Sequence, residues 1–227
     1  MHKLLQVHAR LRHRYGPRPW RVDREPVLDS LIAALLSQNT SDVNSARAFA
    51  QLKAAFPGWD AVRRAPVQAI AAPIRSGGLA DVKARRIQAI LGLIHEARGE
   101  TSLEHLRRAP TARIKQALGE FPGVGPKTIA CVLLFNLKRP DFPVDTHIHR
   151  ISRRLGWVPP RASAEQTYAL LNALVPRRLT YEFHVLMITH GRRVCRAQTP
   201  RCLDCPLWLQ CAYARKMRRG GARIPGT

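Results

Sequence analysis

Between Pro26 and Leu36 the apolar pairs Val27/Leu28, Leu31/Ile32 and Leu35/Leu36 recur every four residues, the spacing that stacks side chains along one face of an α-helix. Ile87, Ile90, Leu91 and Ile94 repeat the pattern, and Gly99 is placed to stop that helix. Similar patterns predict helices over Ser41–Ala55, Thr111–Leu118, Pro126–Asn136, Thr146–Leu155, Ala164–Leu174 and Glu182–Thr189. Pro and Gly punctuate the joins, as at Pro57-Gly58, Gly77-Gly78 and Pro159-Pro160. No apolar/polar alternation bounded by hairpin turn residues argues for a sheet. The predicted fold class is therefore all-α.

Charge narrows the function. The formal net charge is +23 over 227 residues, and a chain that self-repels this strongly is best neutralised by a polyanion. Arginine-rich clusters recur at Arg10–Arg24, Arg85–Arg86, Arg107–Arg108, Arg150–Arg154, Arg177–Arg178, Arg192–Arg193 and Arg215–Arg223. DNA or RNA fits better than a membrane surface, because no long amphipathic segment with an exposed apolar face is evident. No apolar run reaches membrane-spanning length and the N-terminus is too charged for a signal peptide, so the expectation is a cytoplasmic protein, on the nucleoid if the source is bacterial. From residue 216 the chain reads as a disordered basic tail.

The segment from Leu118 to Leu134 contains Pro-Gly-Val-Gly-Pro-Lys-Thr at 122–128. Gly123 and Gly125 permit a tight turn whose backbone N–H groups face an approaching ligand. Pro126 suits the first position of the following helix, where N–H groups and dipole favour a phosphate oxygen. Lys127 sits at that helix start. It reads either as a point charge for phosphate or as a nucleophilic amine, which requires a lowered pKa; the helix end and the cationic surroundings push that way. With seven lysines against thirty-one arginines, this chain has kept at the turn the one cationic side chain that can lose its proton and attack carbon.

Asp145 lies in Val-Asp-Thr-His at 144–147. A helix N-cap explains it structurally. A carboxylate that manages protons for the lysine, or stabilises a cationic sugar, explains it functionally, and the two roles are compatible. Cys195, Cys202, Cys205 and Cys211 form a C-x6-C-x2-C-x5-C pattern within seventeen residues. Four thiolates so spaced suit either a tetrahedral zinc or a cubane iron–sulfur cluster. A disulfide framework is disfavoured without a secretory signal. Cys131, in an apolar helical stretch, reads as a core residue.

Taken in order, Leu-Leu-Ser-Gln-Asn-Thr-Ser-Asp at 35–42, Gly-Leu at 78–79, the 122–128 turn, Val-Asp-Thr-His at 144–147, His-Gly-Arg at 190–192 and the four-cysteine loop resemble the helix-hairpin-helix DNA glycosylases, and within them endonuclease III. The resemblance covers roughly residues 1–215. It implies a six-helix barrel domain over 24–136 and an iron–sulfur domain built from 1–23 and 137–215, with DNA in the cleft between. It implies that the four cysteines hold a 4Fe–4S cluster, that Lys127 is the Schiff-base nucleophile and that Asp145 is its carboxylate partner. Gly123, Gly125, Arg192, Arg196 and Arg201 would contact the DNA backbone, Leu79 would wedge into the base stack, and Asn39 would face the orphaned base.

The function so implied is a bifunctional glycosylase and abasic-site lyase acting as a monomer on oxidised pyrimidines in DNA. Adenine-mismatch glycosylases of this fold characteristically lack the lysine. A thymine-mismatch glycosylase and a non-catalytic DNA-binding protein with a structural metal stand as alternatives. The chain departs from the pattern at two places: Asn39 stands where glutamine is common, and Ala80 follows Leu79 where a bulky residue is common.

Overall fold

The computed structural model describes residues 2–20 and 25–219, and every regular element among them is helical. The chain divides into two compact units, a central one at Val22–Arg139 and a composite one built from Met1–Arg21 and Pro140–Thr227. The first helix, α1 (His2–Tyr15), belongs to the composite unit.

The central unit is organised around α2 (Val27–Leu36), which buries Leu28, Leu31, Ile32, Leu35 and Leu36 almost completely. A fully buried leucine or isoleucine contributes roughly 1.5–3 kcal/mol, which is why this short helix holds its neighbours together. Around it lie α3 (Asp42–Ala55), α4 (Trp59–Arg64), α5 (Val67–Ala71), α6 (Ala80–Arg98), α7 (Thr111–Gly119) and α8 (Pro126–Cys131). Local chemistry sets their starts. Pro26, Pro66 and Pro110 immediately precede α2, α5 and α7, and the Ser41 hydroxyl accepts from the Asn44 N–H at 3.3 Å to cap α3. Gly99, at φ 72°, ends α6. The buried Asp29 of α2 accepts from Trp59 Nε1 at 2.7 Å and pairs with Lys53 at 2.9 Å, so its charge is met on both oxygens.

The helix expected over Pro126–Asn136 is α-helical only to Cys131; Val132–Asn136 widen into a π turn, with the Leu137 N–H reaching the Val132 carbonyl at 3.1 Å. That turn keeps Asn136 buried, where its amide donates to the Glu25 carbonyl at 2.8 Å. The helix α1 and the short helices α4 and α5 did not stand out from apolar periodicity.

In the composite unit α9 (Thr146–Leu155) and α11 (Thr180–Arg193) pack together, with α10 (Ala164–Leu174) and α12 (Ala212–Arg219) against α9 and with α1 against α11. Their core is Leu4, Val7, Leu11, Phe142, Ile148, Ile151, Leu171, Phe183, Leu186 and Met187. Ser163 and Gln166 form a reciprocal capping box at the start of α10. Glu182 locks α1 to α11: it accepts from His8 at 2.8 Å, from Arg12 at 3.1 Å and from the Arg18 backbone N–H at 3.0 Å. The basic tail expected from residue 216 is instead helical through Arg219 as the continuation of α12; its remainder lies outside the described residues.

Candidate active site

Lys127 is the second residue of α8 and is exposed. The turn that presents it starts where α7 ends. The Phe121 N–H reaches the Leu118 carbonyl at 3.3 Å, the Val124 N–H reaches the Phe121 carbonyl at 3.1 Å, and Val124 is buried as the turn's anchor. Gly123 is at φ 77°, a backbone that favours glycine, and a Cβ built there would stand 2.9 Å from Cδ of the Arg86 side chain, which would have to move aside. Gly125 differs from expectation: its φ is −95°, which any residue adopts, and nothing lies within 4 Å of where a Cβ would be. Its glycine therefore leaves the helix start open to a ligand rather than shaping the turn.

Two side chains that the sequence reading passed over hold this turn and its neighbours in place. Gln38 Nε2 donates to the Gly123 carbonyl at 3.0 Å and to Thr128 Oγ1 at 3.1 Å, bracketing Lys127. Lys83, only 2% exposed, donates to the carbonyls of Leu36 at 2.7 Å, Gln38 at 2.7 Å and Gly77 at 2.8 Å. Burial pushes its pKa below the ordinary lysine value. Its position was legible, since Lys83 falls on the same face of α6 as Ile87, Ile90 and Ile94. Beside these clamped carbonyls sit Asn39 at φ 55° and Leu79 at φ 51°, both exposed and both left-handed. Leu79 is 57% exposed, an apolar side chain held out at a loop tip.

Asp145, in the composite unit, is the N-cap of α9, with Oδ1 accepting from the Ile148 N–H at 2.8 Å. The capping role is thus real and leaves Oδ2 for chemistry. Two residues on, His147 packs against Gly191, where a Cβ would lie 2.7 Å from His147 Cβ. The arginines at 150 and 154, counted among the clusters expected to meet a polyanion, bond to backbone carbonyls instead. Arg150 donates to the carbonyls of Gly191 at 3.1 Å and Cys195 at 3.0 Å, and Arg154 to those of Arg196 at 2.6 Å and Ala197 at 2.8 Å. Arg154 also reaches Cys195 Sγ at 3.3 Å and covers the Tyr213 ring at 4.9 Å.

The four loop cysteines are free thiols. Burial, and then the proximity of Cys195, Cys211 and Cys202, pushes the Cys205 thiol up to about 12; burial raises Cys202 and Cys211 as well. Three thiols whose ionisation is disfavoured by burial and by neighbouring cysteines are surroundings that a cationic centre stabilises. Among the described residues no three His, Cys, Asp or Glu side chains close on a single ion. Four cysteines in one loop are a donor set that suits either a tetrahedral zinc or a cubane iron–sulfur cluster. His190, buried under the loop, lies between Tyr15 Oη at 2.9 Å and Cys205 Sγ at 3.6 Å, and burial lowers its pKa to about 4.

Arg196 and Arg201 meet Arg14, Arg193, Tyr15 and Asp204 in a cleft of about 410 Å³. Arg192 is exposed but is not part of that cleft's lining.

Residues 32–177 match the HhH-GPD superfamily base excision DNA repair protein family. The Arabidopsis thaliana protein At3g47830, provisionally named a DNA glycosylase, is 46% identical over 195 residues, which cover 82% of this chain and 66% of that one. The DNA glycosylase/AP lyase ROS1 of the same plant is 34% identical over 68% of this chain, and this chain spans 12% of ROS1. Endonuclease III of Thermotoga maritima is 35% identical over 85% of this chain and 86% of its own. A solved endonuclease III trapped as a covalent intermediate on DNA shares the fold with a TM-score of 0.81 at 26% identity, covering 96% of this chain and 98% of that one.

Proposed function

From the premise that the chain belongs to the HhH-GPD superfamily of base excision DNA repair proteins, we propose that it is a bifunctional DNA glycosylase and abasic-site lyase acting on oxidised pyrimidines. The observation that carries this reading is the exposed Lys127 at the start of α8, bracketed by the two hydrogen bonds of Gln38. A non-catalytic DNA-binding protein needs a cation there but has no need of an amine.

In this reading the arginines and the 122–128 turn grip phosphates, and the damaged nucleotide, weakly paired, leaves the stack at least cost. Leu79 and Asn39 fill the space it vacates. The Lys127 amine attacks the sugar C1′, and the base departs with the electrons of the C1′–N bond. The C1′–O4′ bond then opens, its electrons and a proton going to O4′, and the resulting protonated imine acidifies the C2′ proton. Its removal expels the 3′ phosphate with the C3′–O electrons, and water then hydrolyses the imine to free the lysine. Asp145 is the carboxylate that takes and returns protons in these steps. Cys195, Cys202, Cys205 and Cys211 hold a 4Fe–4S cluster whose contribution is to order the loop carrying Arg196 and Arg201.

Borohydride reduction tests the nucleophile. The native protein becomes covalently attached to DNA containing an abasic site or an oxidised pyrimidine. Lys127→Ala abolishes attachment while DNA affinity, spread over many arginines, changes little. Undiminished lyase activity in Lys127→Ala overturns the assignment.

A further inference from the structure

Lys83 is a costly residue to bury. Its ammonium gives all three of its donors to backbone carbonyls, those of Leu36 and Gln38 at the end of α2 and that of Gly77 in the turn before α6. This joins two segments about forty residues apart in sequence through one side chain. The ammonium also meets the negative end of α2, whose last carbonyls have no helical partner. With every donor committed and 2% exposure, it is not a second nucleophile.

Its position explains two strained residues. Asn39 directly follows the clamped Gln38 carbonyl, and Leu79 follows the clamped Gly77 by two residues. Both have left-handed backbones, at φ 55° and 51°, and both side chains are exposed. A left-handed leucine persists only where its surroundings over-determine it. Gly77 packs closely on α3, since a Cβ there would stand 3.2 Å from Ala48 Cβ.

We propose that Lys83 is a positioning residue that fixes the mutual register of Asn39 and Leu79, so that both enter the base stack together when a nucleotide is extruded. This rests on the reading of Asn39 and Leu79 as the residues that replace the extruded base. Removing the clamp leaves both side chains present but lets each loop find its own relaxed backbone, so it penalises extraction of a stacked base more than reaction at a site with no base to extract.

The experiment compares the native protein, Lys83→Met and Leu79→Ala on two duplexes of one sequence, one carrying thymine glycol and one a preformed abasic site. Single-turnover base excision is divided by single-turnover strand cleavage for each protein, so that a misfolded fraction cancels. In Lys83→Met the ratio falls by about ten-fold or more, as it does in Leu79→Ala. The same substitution in a Lys127→Ala background, which binds without reacting, slows the fluorescence rise of 2-aminopurine placed opposite the lesion. If Lys83→Met fails to fold, Lys83→Gln, whose amide keeps part of the donor set, is read by the same ratio. Equal loss on both duplexes, or none, makes Lys83 a merely structural residue and overturns the proposal. An unchanged ratio in Leu79→Ala overturns the wedge reading itself, and the proposal with it.

Discussion

The side-chain amide of Gln38 donates to the hydroxyl of Thr128 at 3.1 Å, one residue beyond Lys127. The same nitrogen holds the Gly123 carbonyl at 3.0 Å, so the turn and the helix start that present the amine are referenced to the end of α2. Lys127 itself has four rotatable side-chain bonds, and its reach is useful only if its backbone is fixed.

Gln38→Ala is therefore expected to lower base excision and abasic-site cleavage together, by about ten-fold each, because both need the same amine in the same place. Single-turnover rates on the two substrates check this. A large loss of excision with intact cleavage would instead place Gln38 with the residues that replace the extruded base.

The cluster loop makes a second prediction. Arg154 holds Cys195 Sγ and the carbonyls of Arg196 and Ala197, so the loop's conformation depends on a side chain from α9. Purified protein should contain about four irons per chain with visible absorbance, as a cubane on four thiolates requires. Arg154→Met should lower iron retention and lose the absorbance faster under chelator, while α9 and α11 keep their helical signal. Stoichiometric zinc without iron in anaerobically purified protein would end the cluster assignment.

What the sequence disclosed and what it hid divide along physical lines. The α2 and α6 repeats and the Gly99 stop are local, and the structure has them where the patterns put them. The Gly123 turn was legible for the same reason. The individual roles of Gln38, Lys83 and Arg86 were not foreseen, because they depend on carbonyls and glycines distant in the chain that only folding brings near. The arginine clusters misled in part. Arg150 and Arg154 spend their donors on backbone carbonyls, and a count of charge cannot separate an arginine that staples a loop from one that awaits phosphate.

Glu182 gives a prediction about pH. Burial alone would raise its carboxyl, but the Arg18 N–H and His8 hold it below the ordinary value of 4.5. A carboxyl so lowered contributes stability that is present above that value and is lost as pH falls through its folded-state pKa. Acid should therefore loosen the docking of α1 on α11 below about pH 4.5. Glu182→Gln should cost about 1–2 kcal/mol at neutral pH and flatten the acid limb, since fewer charge-assisted bonds remain to be lost. Denaturant unfolding at several pH values measures both. An unchanged acid limb in the variant would mean other carboxyls govern it.

The two departures from the endonuclease III pattern, Asn39 and Ala80, separate once the backbone is considered. Asn39 sits at φ 55°, where asparagine is several-fold favoured over most side chains, so Asn39→Gln trades reach for roughly 1 kcal/mol of backbone strain. Ala80 begins α6 with an ordinary helical backbone and is half-buried against the core beside the exposed Leu79. A larger side chain there has only to turn outward to thicken the wedge. Ala80→Tyr is therefore expected to raise base excision on an oxidised pyrimidine by about two- to ten-fold relative to cleavage at a preformed abasic site, the worth of added stacking contact. Asn39→Gln should gain less and should lower the melting temperature, and the double variant should sum the two effects only if the loops respond independently. Parallel changes on both substrates would show that neither departure acts through extraction, and an Asn39→Gln gain exceeding that of Ala80→Tyr would show that reach toward the orphaned base, and not wedge volume, limits it.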